Sequence, residues 1–239
     1  MRRSRNMTAI SNELSIPRSM REERIVPKTR LLSEHLRPQS LDDLSLPKAK
    51  IESLKRMVAS KKVQNLLFYG SPGIGKTSTA RILCDELDAD TYSVAGSDLN
   101  KSNQLENVDS FCRICSLFTA IKVCFIDEAD FMSSKVQSSL RITIESSSDL
   151  VRFVMTANNI SKISKALQSR FTCINFDVLP KDRPEVIEKL IFNYRSKLRD
   201  LNYIYDKDRL REIVYRNYPD MRSIANQFEF EFERGEQAA

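Results

Sequence analysis

The sequence is short of glycine and has no long apolar run. It contains five glycines in 239 residues, and no apolar stretch approaches the roughly 18 residues that a membrane-spanning helix needs. The first residues, MRRSRNMTAI, are basic but lead into no apolar segment, which argues against a secretory signal. These absences predict a cytoplasmic protein without a membrane partner.

Cysteine is too scattered in this chain to form a recognisable zinc site. Five cysteines, an odd number without a secretory signal, predict reduced thiols. Cys112 and Cys115 form one CxxC pair, but Cys84, Cys124 and Cys173 lie too far apart to complete a ligand set. Because two thiols one helical turn apart explain the CxxC spacing, we expect no metal there.

Positive charge is concentrated in an N-terminal arm, residues 1–30. The arm holds seven Arg and one Lys against three Glu, so it carries nearly all of the net charge of +6. Because the arm has no sustained apolar period, we expect it to be mostly disordered until it meets nucleic acid or an acidic partner surface. A solvated leader with no specific role is equally consistent with this composition.

Strand-like and helix-like segments alternate after a helix predicted over 48–59. Short segments rich in β-branched and aromatic residues suit strands that are buried on both faces, and they lie at 65–69, 91–94, 123–127, 151–156 and 172–176. Between them the apolar spacing is helical, as at Ala80, Leu83, Cys84 and Leu87. The alternation predicts an α/β fold with a five-stranded parallel sheet flanked by helices.

Helical patterns replace strands after Pro180. We expect a helix with Asp182 as N-cap and Glu185 as its capping-box partner, then helices over 207–217 and from 220 onward. The final QFEFEFERGEQAA suits either a strand or a helix. The predicted division is a disordered arm at 1–30, an α/β nucleotide-binding domain at 31–179, a helical lid at 180–232 and a tail at 233–239.

Three of the five glycines lie within six residues, in the stretch LLFYGSPGIGKTSTARILCDEL. Residues 70–77 fit the pattern G-x-x-x-x-G-K-[ST] between a predicted strand and a predicted helix, which is typical of a nucleoside-triphosphate site. Backbone amides must turn inward around the phosphate oxygens, and side chains at the glycines would block that turn. The predicted binding residues are Gly70, Ser71, Pro72, Gly73, Ile74, Gly75, Lys76, Thr77 and Ser78.

The side chains that follow this loop suggest phosphate and magnesium chemistry. Lys76 would neutralise the β- and γ-phosphates, and the Thr77 hydroxyl would coordinate Mg²⁺. In KVCFIDEAD a hydrophobic strand ends in Asp127, which would hold Mg²⁺ through water, and in Glu128, which would orient or deprotonate the attacking water. The acidic start of a helix is the alternative interpretation of these carboxylates.

Two polar residues near later strands complete the set of candidate residues for the nucleotide site. Asn158 follows a buried strand, where it could sense the γ-phosphate, although Asn at strand ends is also common turn chemistry. Arg170 would ordinarily be a solvated charge. If subunits pack edge to edge, however, it is a candidate to reach a neighbour's γ-phosphate.

The order of these motifs resembles the AAA+ ATPases, specifically the clamp-loader small subunits of replication factor C and of T-even bacteriophages. The resemblance covers about residues 33–228. Leu36 stands where the family usually has tyrosine, and Phe171 replaces the cysteine of Ser-Arg-Cys. The matching segments are EHLRPQSLDDL, GSPGIGKTSTARILCDEL, GSD, FIDEAD, VQSSLRITIE, TANNISKISKALQSRF and YPDMRSIAN.

The resemblance implies a P-loop NTPase AAA+ core with a helical lid, and ATP and Mg²⁺ as its ligands. It places Arg37 and Pro38 near the adenine, makes Asn158 the first sensor and Arg222 the second, and assigns Arg170 to a neighbouring subunit in trans. The implied catalytic residues are Lys76, Glu128, Asn158, Arg170 and Arg222.

The resemblance also implies a DNA-facing helix that carries Gln137 and Arg141. In that family the glutamine couples neighbouring modules and the arginine couples DNA contact to Glu128. The helical period puts both residues away from the stripe expected to be buried. Lys101 and Lys162 are candidates for contacts to template-strand phosphates, with plain solvation as the alternative.

The implied function is that of an ATPase subunit of a DNA sliding-clamp loader, active in an oligomer. Its partners would be other loader subunits, the sliding clamp and primer–template DNA. The helical collar domain is expected to be absent, because the chain stops about where that domain would begin. The alternatives are an AAA+ ATPase of replication initiation or helicase loading, and an assembly subunit that uses ATP only for stability. The phage-like motifs suggest a virus or mobile element in a bacterial host.

Overall fold

The computed structural model describes residues 31–101, 103–114 and 121–234. The predicted disordered arm at 1–30, Cys115 of the CxxC pair and the last five residues of the tail lie outside the described residues.

Five parallel strands form the central sheet, which confirms the predicted fold class. They are β1 Leu66–Tyr69, β2 Asp90–Ala95, β3 Lys122–Asp127, β4 Arg152–Ala157 and β5 Thr172–Asn175. Their order across the sheet is β2-β3-β4-β1-β5. Because β4 lies between β1 and β3, the carboxyl ends of these three strands are neighbours at one edge of the sheet.

Helices cover the sheet and make up most of the chain after residue 180. In chain order they are α1 Leu32–His35, α2 Lys48–Ser60, α3 Lys76–Glu86, α4 Gln104–Arg113, α5 Ser134–Ser146, α6 Lys165–Gln168, α7 Arg183–Asp200, α8 Lys207–Asn217 and α9 Met221–Glu231. A short antiparallel pair, β6 Tyr203–Ile204 and β7 Glu233–Arg234, joins the connection between α7 and α8 to the segment after α9. None of the helices in the described ranges has the length and apolarity needed to cross a bilayer.

The sheet has an apolar cluster on each face. Phe68, Phe125 and Val154 pack with α2 and α3 on one face, while Cys124 and Phe153 pack with α4 and α5 on the other. This alternation follows from the pleat, since successive side chains point to opposite faces. The central strands β1, β3 and β4 are therefore buried on both faces, as predicted.

The prediction that all five strands are buried on both faces is wrong for the edges of the sheet. In β5 only Ile174 is half-buried, and its other residues are exposed. Ser93 of β2 is exposed as well. An edge strand has a neighbouring strand on one side only, which leaves its side chains more exposed than those of a central strand.

The C-terminal helices pack around a third cluster that also takes in Leu32 and Leu36 from α1. The capping box predicted for α7 does not form, because Asp182 is in the right-handed helical conformation and its side chain makes no cap hydrogen bond. Asp220 does cap α9, accepting from the backbone N–H groups of Arg222 and Ser223.

The helical interpretation of the aromatic segment near the C-terminus is confirmed as far as Glu231. Phe228 and Phe232 are buried, and their rings stack at 4.9 Å between centroids. Phe230 lies on the opposite face of α9 and is 90% exposed. One helix face therefore accounts for Phe228 and Phe232 but leaves Phe230 exposed.

Candidate nucleotide site

A cleft of about 580 Å³ opens at the carboxyl ends of β1, β3 and β4 and is bounded on its other side by α7 and α9. Ligands of open parallel sheets bind at this edge, and the volume lies within the usual range for small-molecule sites. The sequence-predicted residues that line the cleft are Arg37, Pro38, Pro72, Gly73, Gly75, Lys76, Thr77, Ser78, Asp127, Glu128, Asn158 and Arg222.

The glycine-rich loop between β1 and α3 needs glycine for two different reasons. Gly73 and Gly75 have φ angles of +74° and +95°, which side-chain-bearing residues rarely adopt. A Cβ at Gly73 would also lie 2.1 Å from Oδ1 of Asp220, whereas one at Gly75 would meet nothing closer than 3.9 Å. At Gly73 the obstacle to a side chain is thus Asp220, the N-cap of α9, whereas Gly75 is required by its φ alone; the predicted block of the approach to phosphate stays a prediction.

The Lys76 ammonium group is held in the middle of the loop. Its Nζ donates to the carbonyl oxygens of Gly70 and Ser71 at 2.8 Å each, and to Oδ1 of Asn158 at 2.9 Å. An ammonium group has three donors, so all of them are used. An incoming anion must therefore replace at least one of these acceptors.

Burial and nearby carboxylates act on Lys76 in opposite directions. Desolvation lowers the pKa of this lysine below its usual value, and the negative charges of Asp177, Asp130 and Asp127 oppose that fall. The carboxylates therefore favour the charged form, which is the form that binds phosphate.

Asp127, the last residue of β3, faces Thr77 across the cleft. The Thr77 hydroxyl donates to Oδ1 of Asp127 at 2.9 Å. A hydroxyl and a carboxylate in contact are hard oxygen ligands of the kind that Mg²⁺ takes in phosphate-transferring proteins. The two residues therefore fit the predicted magnesium site by their chemistry.

Thr156 belongs to the same cluster, and sequence reasoning missed it. Its hydroxyl donates to Oδ1 of Asp127 and accepts from the backbone N–H of Glu128 at 3.0 Å. A threonine in a buried strand looks like ordinary β propensity, so only the pairing of β3 with β4 reveals its role.

We expect Thr156→Val to lower ATP turnover severalfold and to destabilise the fold by about 1–3 kcal/mol, because the Glu128 N–H loses its acceptor and Asp127 loses a donor. Turnover and thermal unfolding would be measured together. Thr156→Ser keeps the hydroxyl and should retain most of the activity. A valine variant with wild-type turnover would mean that this hydroxyl does not position the acidic pair.

Glu128 has a strained backbone. Its φ of +53° is in the left-handed region, which is uncommon for residues other than glycine and is frequent at functional sites. Gly96 makes room for this turn, because a Cβ there would lie 2.4 Å from the Glu128 carbonyl oxygen. The exposed Glu128 side chain lines the cleft beside Asp127.

Two further acidic residues accept hydrogen bonds from residues of the site, and neither was predicted from the sequence. Asp177 accepts from the backbone N–H and the hydroxyl of Ser71 at 2.9 and 2.8 Å. Asp130 accepts from the backbone N–H of Asn158 at 3.2 Å. Each acts through a contact distant in sequence, so no local pattern marks it.

The entry segment, residues 34–44, contains Arg37 and Pro38 and is fixed to the helical region. Nζ of Lys197 donates to the carbonyl oxygen of Arg37 at 2.6 Å, and the Asn193 side chain donates to that of Asp43 at 2.8 Å. Both donors lie on α7, so the side of the cleft formed by the entry segment and α7 is one connected unit.

Arg170 does not line this cleft. Its guanidinium binds Glu145 of α5, with Nε 2.8 Å from Oε1, and also donates to the Ala166 carbonyl oxygen. The hydrogen bond from Arg170 holds the pKa of Glu145 below its usual value. The role in a neighbouring subunit stays a prediction for this arginine.

Gln137 is not displayed on an open helix face, as the helical period had suggested. It is 5% exposed, its side-chain nitrogen donates to the Lys162 carbonyl oxygen at 2.9 Å, and its oxygen accepts from the Ser164 N–H at 2.8 Å. The turn before α6 covers it, so Gln137 joins α5 to α6 within the chain.

The other predicted DNA residues lie apart from the cleft. Lys101 and Lys162 are exposed; Lys101 pairs with Asp98 at 2.6 Å, and Nζ of Lys162 lies 5.4 Å from the ring centroid of Phe131. Nε of Arg141 is buried and has no hydrogen-bond partner within the described residues. Their contacts with DNA stay predictions.

The chain matches one protein family and a group of curated relatives. Residues 66–177 match the family model described as the ATPase family associated with various cellular activities, AAA. The chain is 34% identical over 203 residues to the replication factor C small subunit of Sulfurisphaera tokodaii, covering 82% of this chain and 60% of that protein. It is 32% identical over 200 residues to replication factor C subunit 3 of Schizosaccharomyces pombe, covering 81% and 57%. The chain thus spans about 60% of the length of the curated relatives it matches.

Solved structures share the fold. The Thermotoga maritima RuvB Holliday junction branch migration motor superposes with a TM-score of 0.60 at 22% identity, covering 82% of this chain and 64% of that one. At this identity the likeness extends to the fold alone.

Proposed function

We propose that this chain, whose residues 66–177 match the AAA family of ATPases and which is similar over most of its length to replication factor C small subunits, is a cytoplasmic ATPase subunit of a DNA sliding-clamp loader. The observation that carries the proposal is the cleft in which Lys76, Thr77, Asp127, Glu128 and Asn158 meet. These residues come from three neighbouring strand ends, and together they form a hydrolytic set.

ATP is the proposed substrate of this cleft. The backbone N–H groups of the loop and the start of α3 would bind the triphosphate, because unpaired amides and the helix dipole favour anions. Lys76 would exchange its bonds to loop carbonyls for phosphate oxygens. The base would lie toward Arg37 and Pro38, on the side that α7 holds through Lys197.

Thr77 and Asp127 are the proposed ligands of Mg²⁺. When bound, the ion supplies positive charge that neutralises the phosphate oxygens. Thr156 then acts as a positioning residue, since its donated hydrogen bond orients the Asp127 carboxylate.

The hydrolytic step is assigned to Glu128, which would orient the attacking water and take its proton. Asn158 would sense the γ-phosphate, because Oδ1 of Asn158 already accepts from Lys76 and would respond when that lysine moves. Arg222, in the first turn of α9 at the cleft wall, would report the same state to the lid at 180–232. Arg170 would complete the site of a neighbouring subunit.

Contacts with primer–template DNA are assigned to the exposed lysines Lys101 and Lys162, and the coupling of those contacts to Gln137 and Arg141. The lysines would meet backbone phosphates, which requires charge but no base reading. Gln137 binds the Lys162 carbonyl oxygen. A displacement of Lys162 by DNA would therefore be transmitted to α5.

The test is steady-state ATP turnover by the chain assembled with its partner subunits, with and without a sliding clamp and primed DNA. We expect clamp and primed DNA together to raise turnover at least tenfold, because they complete the assembly in which neighbouring subunits meet. Blunt duplex DNA of the same length is the control. Turnover that does not change when clamp and primed DNA are added would contradict the clamp-loader function and favour a role in initiation or helicase loading. Nucleotide-dependent assembly without turnover would favour a purely structural subunit.

A further inference from the structure

A small cavity adjoins the proposed nucleotide cleft. It has a volume of about 30 Å³ and lies between the entry segment, the glycine-rich loop and α7. Leu36, Pro38, Gly75, Tyr194 and Met221 line both the cavity and the cleft, so the two spaces are contiguous.

Ser45 is the unusual residue in the wall of this cavity. The side chain is 5% exposed, and its hydroxyl oxygen is buried without a hydrogen-bond partner among the described residues. Its surroundings are apolar, since Leu44, Leu46 and Ile74 are buried beside it. A buried hydroxyl that lacks a partner costs free energy, so its presence in the wall of a cavity points to a ligand that supplies the partner.

Three other polar side chains of the wall already have partners within the protein. The Asn193 amide donates to the Asp43 carbonyl oxygen, Lys197 donates to the Arg37 carbonyl oxygen, and the Thr79 hydroxyl donates to the Gly75 carbonyl oxygen. Ser45 differs from these three residues in having a buried hydroxyl without a partner among the described residues.

We infer that the Ser45 hydroxyl binds the exocyclic group at position six of the purine base of the nucleotide, which makes Ser45 a base-recognition residue. This inference rests on the proposed function, because it assumes that the cleft holds a nucleoside triphosphate. The triphosphate end is fixed by Lys76 and the loop, and Gly75 lines both spaces. The base at the other end of the nucleotide would then lie at the mouth of the cavity, beside Leu36 and Pro38, which also line both spaces.

The volume of the cavity suits this group. A cavity of about 30 Å³ holds one or two small polar groups, so it admits the edge of a base while the rings stay in the wider cleft. A serine hydroxyl can accept a hydrogen bond as well as donate one, and it can therefore accept from the amino group of adenine.

The experiment is calorimetric titration of the full chain with Mg²⁺ and either ATP or purine riboside triphosphate, which has hydrogen in place of the amino group. We expect Ser45→Ala to weaken ATP binding about three- to tenfold, the loss of one neutral hydrogen bond. The wild type should bind purine riboside triphosphate more weakly than ATP by a similar factor. The substitution should then change the affinity for that analogue by less than about twofold, because the contact is already missing.

Ser53→Ala is the matched control, since Ser53 is an exposed serine on α2 that bonds to the Ala49 carbonyl oxygen of its own helix. It should leave both affinities unchanged. Thermal unfolding of each variant checks that the fold is intact.

Two results would overturn the inference alone: Ser45→Ala binding ATP as tightly as the wild type, or the variant losing affinity equally for both nucleotides. In each case the wild type still binds ATP, and the proposed function stands. If the wild type binds neither nucleotide, the proposed function fails and the inference falls with it.

Discussion

Glu128→Gln is expected to reduce ATP turnover by about 10²- to 10⁴-fold, the usual contribution of a general base, while ATP affinity changes by less than about threefold. Glutamine keeps the size and polarity of the side chain, so the cleft and its strained backbone should be preserved. It cannot take a proton from water, which removes the step assigned to the carboxylate. Lys76 and Thr77, which would hold the phosphates, are untouched.

The measurement is turnover by the assembled complex, together with nucleotide binding by the single chain. Glu106→Gln is the control, since Glu106 is an exposed glutamate on α4 outside the cleft lining. If Glu128→Gln hydrolyses ATP at the wild-type rate, the water-activating role belongs to another residue. If the variant loses binding instead, Glu128 supports the site rather than the reaction.

The sequence predicts the site well where each residue belongs to a local motif. Lys76 and Thr77 follow a glycine-rich loop, and Asp127 and Glu128 end an apolar strand, so their types and positions can be recognised without a structure. Their convergence depends on the strand order, in which β4 lies between β1 and β3. Strand order is set by pairing between distant segments, which periodicity does not encode.

The residues that sequence reasoning missed act through distant contacts. Thr156 reaches Asp127 across neighbouring strands, and Asp177 reaches Ser71 from the end of the sheet. Gln137 was placed by helical period on an open face, but the turn at 160–162 covers it. Similarly, nothing local distinguishes Ser45 from a solvated loop serine until its burial is known.

Arg170→Ala is expected to lower the turnover of the assembly by about 10³-fold or more, the effect of an arginine supplied in trans, without changing ATP affinity in the single chain. Arg170 lies outside the lining of its own cleft, and its guanidinium is bound to Glu145. We therefore expect it to stabilise the charge of a reacting phosphate at a neighbour's site.

Mixing two inactive variants distinguishes action in trans from action in cis. Lys76→Ala removes the phosphate-binding lysine but leaves Arg170, whereas Arg170→Ala leaves the cleft intact. At an interface where the first variant presents its arginine to the cleft of the second, one complete site forms. We expect the mixture to recover a substantial part of the turnover that both pure variants lack. An arginine acting within its own chain would give no recovery.

Glu145→Ala separates a role in the neighbour's site from a role in this chain's own fold. If Arg170 served only to pair with Glu145, removing either partner would break the same contact and the two variants would behave alike. The pair is exposed on the glutamate side, and exposed ion pairs contribute little to stability, so the arginine can leave it at small cost. We therefore expect Glu145→Ala to keep most of its turnover in the assembly while Arg170→Ala loses it. Equal losses of turnover in the two variants would mean that Arg170 supports the packing of α5 against α6. It would then not be the arginine that acts in the neighbouring site.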